Sequence, residues 1–355
     1  MSDNSLVQKN NRQVAIWLLI GVGMIVVQVL LGGITRLTES GLSITEWKPI
    51  TGALPPLNDQ QWQVEFEKYR HTDQFKFVHQ YFSLHEFKFI FFWEWFHRLW
   101  ARMMGLVFLI GFTYFIIKKK FNTSMIVPMI LLFLLGGLQG AIGWIMVSSG
   151  LVPEKYFVGH IELTTHFIAA LVLLSYTYWF ALSLLPSFQE KIQQKNIHKI
   201  LMALLVLFFI QLMYGGFMAG MKAASTAPTW PLINSEVVPN SFGELSPWIK
   251  NLFYNKLAVH FIHRSIAYII LITVIVFSIK SKQQREHKKF SQFRVLFMIM
   301  ILCQILLGIF TLLYATNTTI FICLGVAHQF TAMLLVMCLV TLLFLSKQST
   351  RVAVV

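Results

Sequence analysis

Hydrophobic residues in this chain come in long unbroken runs, not in the short alternations typical of strands. Eight runs are visible, at about residues 14–34, 88–117, 124–147, 160–185, 197–219, 255–279, 293–315 and 320–346. A helix needs ~20 consecutive apolar residues to cross a bilayer, and every run is that long. Continuous runs favour helices over a membrane barrel, whose strands alternate. The pattern therefore predicts an all-α integral membrane protein with eight transmembrane helices. The first run follows a polar stretch and has no small-residue cleavage site after it, so it is read as a retained membrane helix, not a signal peptide.

The polar positions inside these runs repeat between the two halves of the chain. Gln28-x3-Gly32-Gly33 in the first run matches Gln211-x3-Gly215-Gly216 in the fifth. Each is followed by a long loop with a tryptophan–proline turn, "TEWKPITGALPP" and "APTWPLINSEVVP". His97-Arg98 in the second run matches His263-Arg264 in the sixth, Gln139-x3-Gly143 matches Gln304-x3-Gly308, and His166 matches His328. The last three pairs are separated by 166, 165 and 162 residues, a single register. The expectation is two tandem pseudo-symmetric four-helix bundles, residues 1–190 and 191–355, joined by a linker near 186–198. An even number of helices per unit gives both copies the same orientation. The glycines are read as points where helices approach closely.

Composition agrees with a membrane protein: 56% of residues are hydrophobic and only 12% are charged. The net charge of +14 raises the question of nucleic acid, but its distribution answers it. The N-terminus, the tail and the loops near 118–122, 186–200 and 280–294 hold 16 of the 29 Lys and Arg residues and three acids. That asymmetry is the positive-inside pattern, which places both termini in the cytoplasm or matrix and the long loops on the outer side. No nucleic-acid partner is implied; the partner is the lipid bilayer of a bacterial plasma membrane or a mitochondrial inner membrane. Cys303, Cys323 and Cys338 lack metal or haem-attachment spacing and are read as buried apolar cysteines.

Under that orientation His97, His166, His263 and His328 lie at a common depth, ~9–15 Å below the outer helix ends. One imidazole per even-numbered helix, in two pairs, is what two six-coordinate haem irons require. A proton relay is the competing reading, and each histidine taken singly also fits a polar residue bonded to a neighbouring helix. Zinc is disfavoured for want of a converging third ligand. His71, His79, His85, His198 and His287 fall in loops and are read as solvated. His260 stands one turn before His263, where the first half has Glu94 before His97. Glu94 shares the face of His97 ~4.5 Å further out. An acid there suits a proton acceptor or a stabiliser of developing positive charge; its alternative is a helix-end partner for Arg98, Lys88 or a loop. Arg98 and Arg264 point away from the histidines by about one helical step and are candidates to hold carboxylates or neighbouring helices.

These residues carry a resemblance. "GGITRLTESGLSITEWKPITGALPPL", "EFKFIFFWEWFHR", "TWPLINSEVVP", "FIHRSIAY" and "GVAHQFTAM" resemble the haem A synthase family in its alphaproteobacterial and mitochondrial branch, over nearly the whole chain. The resemblance implies an oxidoreductase that converts the C8 methyl of haem O to a formyl group by two hydroxylations, with oxygen from water. It implies that His97 and His166 flank the substrate haem, that Glu94 is catalytic, and that His263 and His328 ligate a haem b cofactor. Arg98 and Arg264 become candidates for haem propionates. Implied partners are haem O synthase, oxidase assembly factors and an unidentified electron acceptor. Another branch of the family has a cysteine pair in the first outer loop, whereas residues 35–86 contain no cysteine. That loop is instead aromatic, with Asn58-Asp59 placed to cap a helix bearing Trp62, Phe66 and Tyr69 on one face, a candidate lid over the first haem. A non-catalytic di-haem electron carrier and a haem transporter or chaperone remain the alternatives. The carrier has no use for an acid confined to one half, and the apolar inner helix halves disfavour transport.

Overall fold

A computed structural model of the chain describes residues 3–48 and 51–347. Arg351 of the tail counted in the charge pattern, and Pro49 and Ile50 of the first tryptophan–proline turn, lie outside the described residues. Eleven α-helices occur among the described residues: α1 (Asp3–Leu37), α2 (Asp59–Arg70), α3 (Asp73–Phe77), α4 (Leu84–Ile117), α5 (Ile126–Gly150), α6 (His160–Ser183), α7 (Lys195–Gly220), α8 (Asn251–Tyr254), α9 (Lys256–Lys280), α10 (Lys288–Leu313) and α11 (Thr318–Ser346). Eight of them, α1, α4, α5, α6, α7, α9, α10 and α11, are long and apolar enough to cross a membrane. The protein is an all-α integral membrane protein, as the runs predict.

Local chemistry sets where the histidine-bearing helices begin. Ser83 and Glu86 form a capping box at the start of α4, with the Ser83 amide donating to Glu86 Oε2 at 2.9 Å. Asn255 caps α9 by accepting from the Leu257 and Ala258 amides at 3.0 and 3.1 Å. Asn317 does the same for α11 through the Ile320 amide at 3.1 Å. These caps fix how far down each helix its histidine stands. The α4 helix starts at Leu84, a turn earlier than its apolar run, and projects into the loop region.

Four helices form the centre of the molecule. The α1 helix packs on α6 and α11, α6 packs on α7 and α11, and α7 packs on α11. The other four are peripheral: α4 lies on α1, α5 on α6, α9 on α7 and α10 on α11. Each half of the sequence thus supplies two central and two peripheral helices. The largest apolar core draws on both halves, with Val22, Leu174, Leu201, Phe277, Phe297 and Leu342 among its members. It does not stop at residue 190. Polar ties also cross the halves, since Gln329 Nε2 donates to the Val29 carbonyl at 2.7 Å and Tyr178 Oη meets Thr341 Oγ1 at 2.9 Å.

This core occupies the end of the molecule where the connections are short. The end with the long connections, residues 38–83 and 221–255, is built differently. There α2 is capped by Asn58, whose side chain accepts from the Gln61 amide at 2.9 Å. Its face of Trp62, Phe66 and Tyr69 packs on Phe87 and Phe91 of α4. The amphipathic segment expected in the first long loop is present, and its apolar face is turned into α4.

Candidate functional site

Each of the four matched histidines sits in the same cradle. His97 on α4 faces Gln28 and Gly32 of α1, with Gln28 Nε2 3.2 Å from His97 Nε2 and 3.2 Å from the His97 carbonyl. His166 on α6 faces α5, where Gln139 Nε2 donates to Nδ1 at 3.2 Å and to the His166 carbonyl at 3.1 Å. Gln211 of α7 holds His263 Nε2 at 3.3 Å, and Gln304 of α10 holds His328 Nε2 at 3.2 Å. The glycine one turn after each glutamine clears the ring: a Cβ at Gly32, Gly143, Gly215 or Gly308 would stand 3.1, 2.8, 3.4 or 3.0 Å from the Cε1 of its histidine. These four glycines make room for imidazoles, where the sequence suggested close helix contact. Gly33 serves the other purpose, since a Cβ there would collide with the Gln329 side chain of α11.

All four histidines line one cavity of about 1430 Å³ at the long-loop end. A single small-molecule site usually spans ~300–1,000 Å³, so the space suits more than one large ligand. His97 and His166 line it from the first half of the chain, and His263 and His328 from the second. That is the pairing a bis-imidazole centre in each half demands. The polar atoms left over agree with it. Nδ1 of His263 and His328, and Oε1 of all four cradle glutamines, are buried with no hydrogen-bond partner among the described residues. Buried polar groups are rarely left so, and unpartnered imidazole nitrogens on residues that line one cavity fit the ligation of a haem iron.

Glu94 lines the same cavity and is 3% exposed. Its surroundings are polar: Oε2 accepts from Ser43 Oγ at 2.7 Å and from the Ile44 amide at 2.8 Å, and Oε1 accepts from Arg98 at 2.6 Å. Arg98 also donates to the Ile44 and Glu46 carbonyls at 3.1 and 3.2 Å. The pair therefore pins residues 43–46 of the first long loop onto α4. Oε1 keeps an acceptor site beyond its bond to Arg98. In the second half His260 takes the place of Glu94: its Nε2 accepts from Arg264 Nε at 3.0 Å, and its Nδ1 has no partner among the described residues. Arg264 repeats the clamp, donating to the carbonyls of Pro231 and Leu232 at 3.2 and 3.3 Å and to that of Thr229. Both arginines thus have donors turned to loop carbonyls, although both still line the cavity.

Several loop residues differ from expectation. His79, read as solvated, is 6% exposed; it bonds to Tyr69 Oη at 2.6 Å and Glu39 at 3.3 Å and stacks on Phe82. The loop folds over it, which its sequence position does not reveal. His198 and His287 bond to Ser346 Oγ and the Glu190 carbonyl at 2.9 and 3.1 Å. His71 lies at the surface, bonded to the Glu67 carbonyl at 2.7 Å. Of the cysteines only Cys338 is buried, while Cys303 and Cys323 are exposed on the faces of α10 and α11. Sequence reasoning missed a further pair. Glu39 and Lys222 follow α1 and α7 at matched positions, both have left-handed backbones (φ 58 and 52°), and they form an ion pair across the halves. The signal was available, because their separation equals that of Gln28 and Gln211.

The chain is similar to known proteins over most of its length. The family model described as cytochrome oxidase assembly protein, COX15-CtaA, matches residues 15–340. The chain belongs to this family. Similar curated members of the cytochrome oxidase assembly family include the heme A synthase of Flavobacterium johnsoniae, 40% identical over 92% of this chain and 96% of that protein. The heme A synthase of Nitrosospira multiformis is 40% identical over 91% and 90%, and that of Brucella suis 35% over 92% and 89%. Helices α1 to α11, the four cradles and Glu94 all fall within the matched span apart from the outermost turns of α1 and α11.

Proposed function

We propose that this chain catalyses the haem A synthase reaction, oxidising the C8 methyl of haem O to a formyl group for use in terminal oxidases. The observation that carries the reading is the duplicated bis-histidine cradle with a carboxylate in one half only. A di-haem electron carrier would need the four histidines but not that difference.

In this reading residues 1–190 form the substrate unit and residues 191–355 the cofactor unit. His97 and His166 hold haem O, oriented by Gln28 and Gln139. His263 and His328 hold haem b, oriented by Gln211 and Gln304; bound there, haem b supplies a one-electron carrier close to the substrate. Converting a methyl and one water to a formyl group releases four protons and four electrons. The electrons pass to an acceptor outside this chain. Glu94 contributes a fixed negative charge beside the porphyrin rim, where it stabilises positive charge developing on the methyl carbon. The acceptor site left on its Oε1 orients the attacking water and takes its proton. Arg98, Ser43 and the Ile44 amide hold that carboxylate still and close the loop over it. The long loop with α2 acts as a lid that keeps bulk water from the oxidised carbon. Haem O synthase and the oxidase assembly machinery are the partners that deliver the substrate and take the product.

The membrane is the bacterial plasma membrane or the mitochondrial inner membrane. Both termini face the cytoplasm or matrix, because basic residues crowd the short-loop end. A reporter fused near Lys120 that works only in the cytoplasm tests this. For the activity, the protein is co-produced with haem O synthase and its extracted pigments are separated. Haem O and haem A beside haem b are expected; haem b alone would favour the electron carrier.

A further inference from the structure

We propose that Arg36 is a carboxylate-binding residue of the first haem site, gripping a propionate of the substrate; this rests on reading the His97 and His166 cradle as the haem O site. Arg36 lies in the last turn of α1 and lines the cavity. It is four residues after Gly32, whose missing Cβ admits the His97 ring. Residues four apart share a helix face ~6 Å apart along the axis. Helical side chains also lean toward the N-terminus, which from Arg36 is the direction of Gly32 and the His97 ring beside it.

The other cations lining the cavity have protein partners. Lys48 pairs with Glu46, Arg98 with Glu94 and Lys222 with Glu39. Arg102 donates to the Lys48 carbonyl and Arg264 to His260. Arg36 is half-buried and has no hydrogen-bond or ion-pair partner among the described residues. The acid whose charge it feels is Glu39, which Lys222 and His79 already hold. A cation sheltered in this way and aimed into a cavity for an amphipathic macrocycle is suited to a carboxylate, which a guanidinium binds through two parallel hydrogen bonds.

The two halves differ at this position. Counting from the paired glycines, the residue of α7 that corresponds to Arg36 is Ala219. The grip therefore belongs to the half that carries Glu94, and it directs the propionates of that macrocycle toward the long-loop end. It also sets the rotation of the ring about the iron axis, which decides which methyl meets Glu94. Arg36 is in this sense a positioning residue for the reaction.

The test uses the full-length protein, purified with its C-terminal site filled, and ferric protoporphyrin IX as probe. The probe is titrated as the free diacid and as the dimethyl ester, and the absorbance change that depends on His97 is followed. Wild type should prefer the diacid by tenfold or more, the range of a hydrogen bond to a charged group. Arg36→Gln should bring that preference close to one while leaving ester affinity within about twofold. Arg36→Lys should retain part of it, since charge survives but the two-pronged geometry does not. A wild-type preference in Arg36→Gln, or none in wild type, would overturn the assignment. A variant that merely misfolds would weaken both ligands together, and Arg36→Lys then decides. If neither probe gives a His97-dependent signal even in wild type, the haem reading of the first site fails, and the role of Arg36 falls with it.

Discussion

At the scale of single residues the site depends on what is missing as much as on what is present. The four cradle glycines differ in how much room they leave: a Cβ would come within 2.8 Å of the ring at Gly143, 3.0 Å at Gly308, 3.1 Å at Gly32 and 3.4 Å at Gly215. Contacts near 3.0 Å force the imidazole to shift, whereas 3.4 Å is ordinary packing. Alanine is also the better helix former by ~1 kcal/mol, so any loss of ligand cannot be blamed on the backbone. We predict that Gly308→Ala lowers the low-spin haem b signal of the purified protein, while Gly215→Ala leaves it near wild type. Equal effects, or the reverse order, would mean that the glycines serve helix contact instead. The glutamines and glycines were visible in the sequence as a repeat, and so were the histidines. That they belong together was not, because a helix sequence does not say which neighbour its small face meets. The same limit hid Ser43 and the Ile44 amide, which hold Glu94 from a loop fifty residues away in sequence.

At the scale of elements, the long loops do more than connect helices. The pairing of Glu39 with Lys222 joins the first loop to the second at positions related by the internal repeat. The Glu39 carboxyl is pulled from its ordinary value of 4.5 down to about 2, first by its hydrogen bond to His79 and then by Lys222, against the opposing effect of burial. A carboxyl shifted down contributes stability that is fully present above its unfolded value and is lost as the pH falls through its folded value. Glu39→Gln should therefore lower the Tm in detergent by a few °C at pH 7. The gap to wild type should hold down to about pH 5 and close between 4.5 and 2. A gap that is absent at pH 7, or one that persists at the acid end, would remove this link between the halves. The number and type of the membrane-spanning elements were legible, since eight unbroken apolar runs leave no other solution in a bilayer. The docking of α2 was half legible: its cap and apolar face could be read, but its partner on α4 could not. Burial of His79 followed only from the folded loop.

At the scale of the molecule, the two halves of the chain contribute to one large apolar core. The central helices α1, α6, α7 and α11 come equally from both halves, the largest apolar core draws on both, and one cavity serves both histidine pairs. The repeat register in the sequence pointed to two units but did not reveal this sharing, which depends on how the helices of the two halves meet. Between the two halves two positions differ in a way that bears on chemistry: Glu94 corresponds to His260 in the repeat, and Arg36 to Ala219. The account's central claim is that the first of these differences makes one half catalytic and the other a cofactor holder. Haem analysis of Glu94→Gln, co-produced with haem O synthase, tests it most directly. General acid–base groups contribute about 10²–10⁴-fold, so the predicted variant keeps its haem, makes little or no haem A, and accumulates haem O or its hydroxylated derivative, while His260→Ala retains more activity. Near-normal haem A from Glu94→Gln would contradict the account and leave the carboxylate as no more than a clamp for the loop.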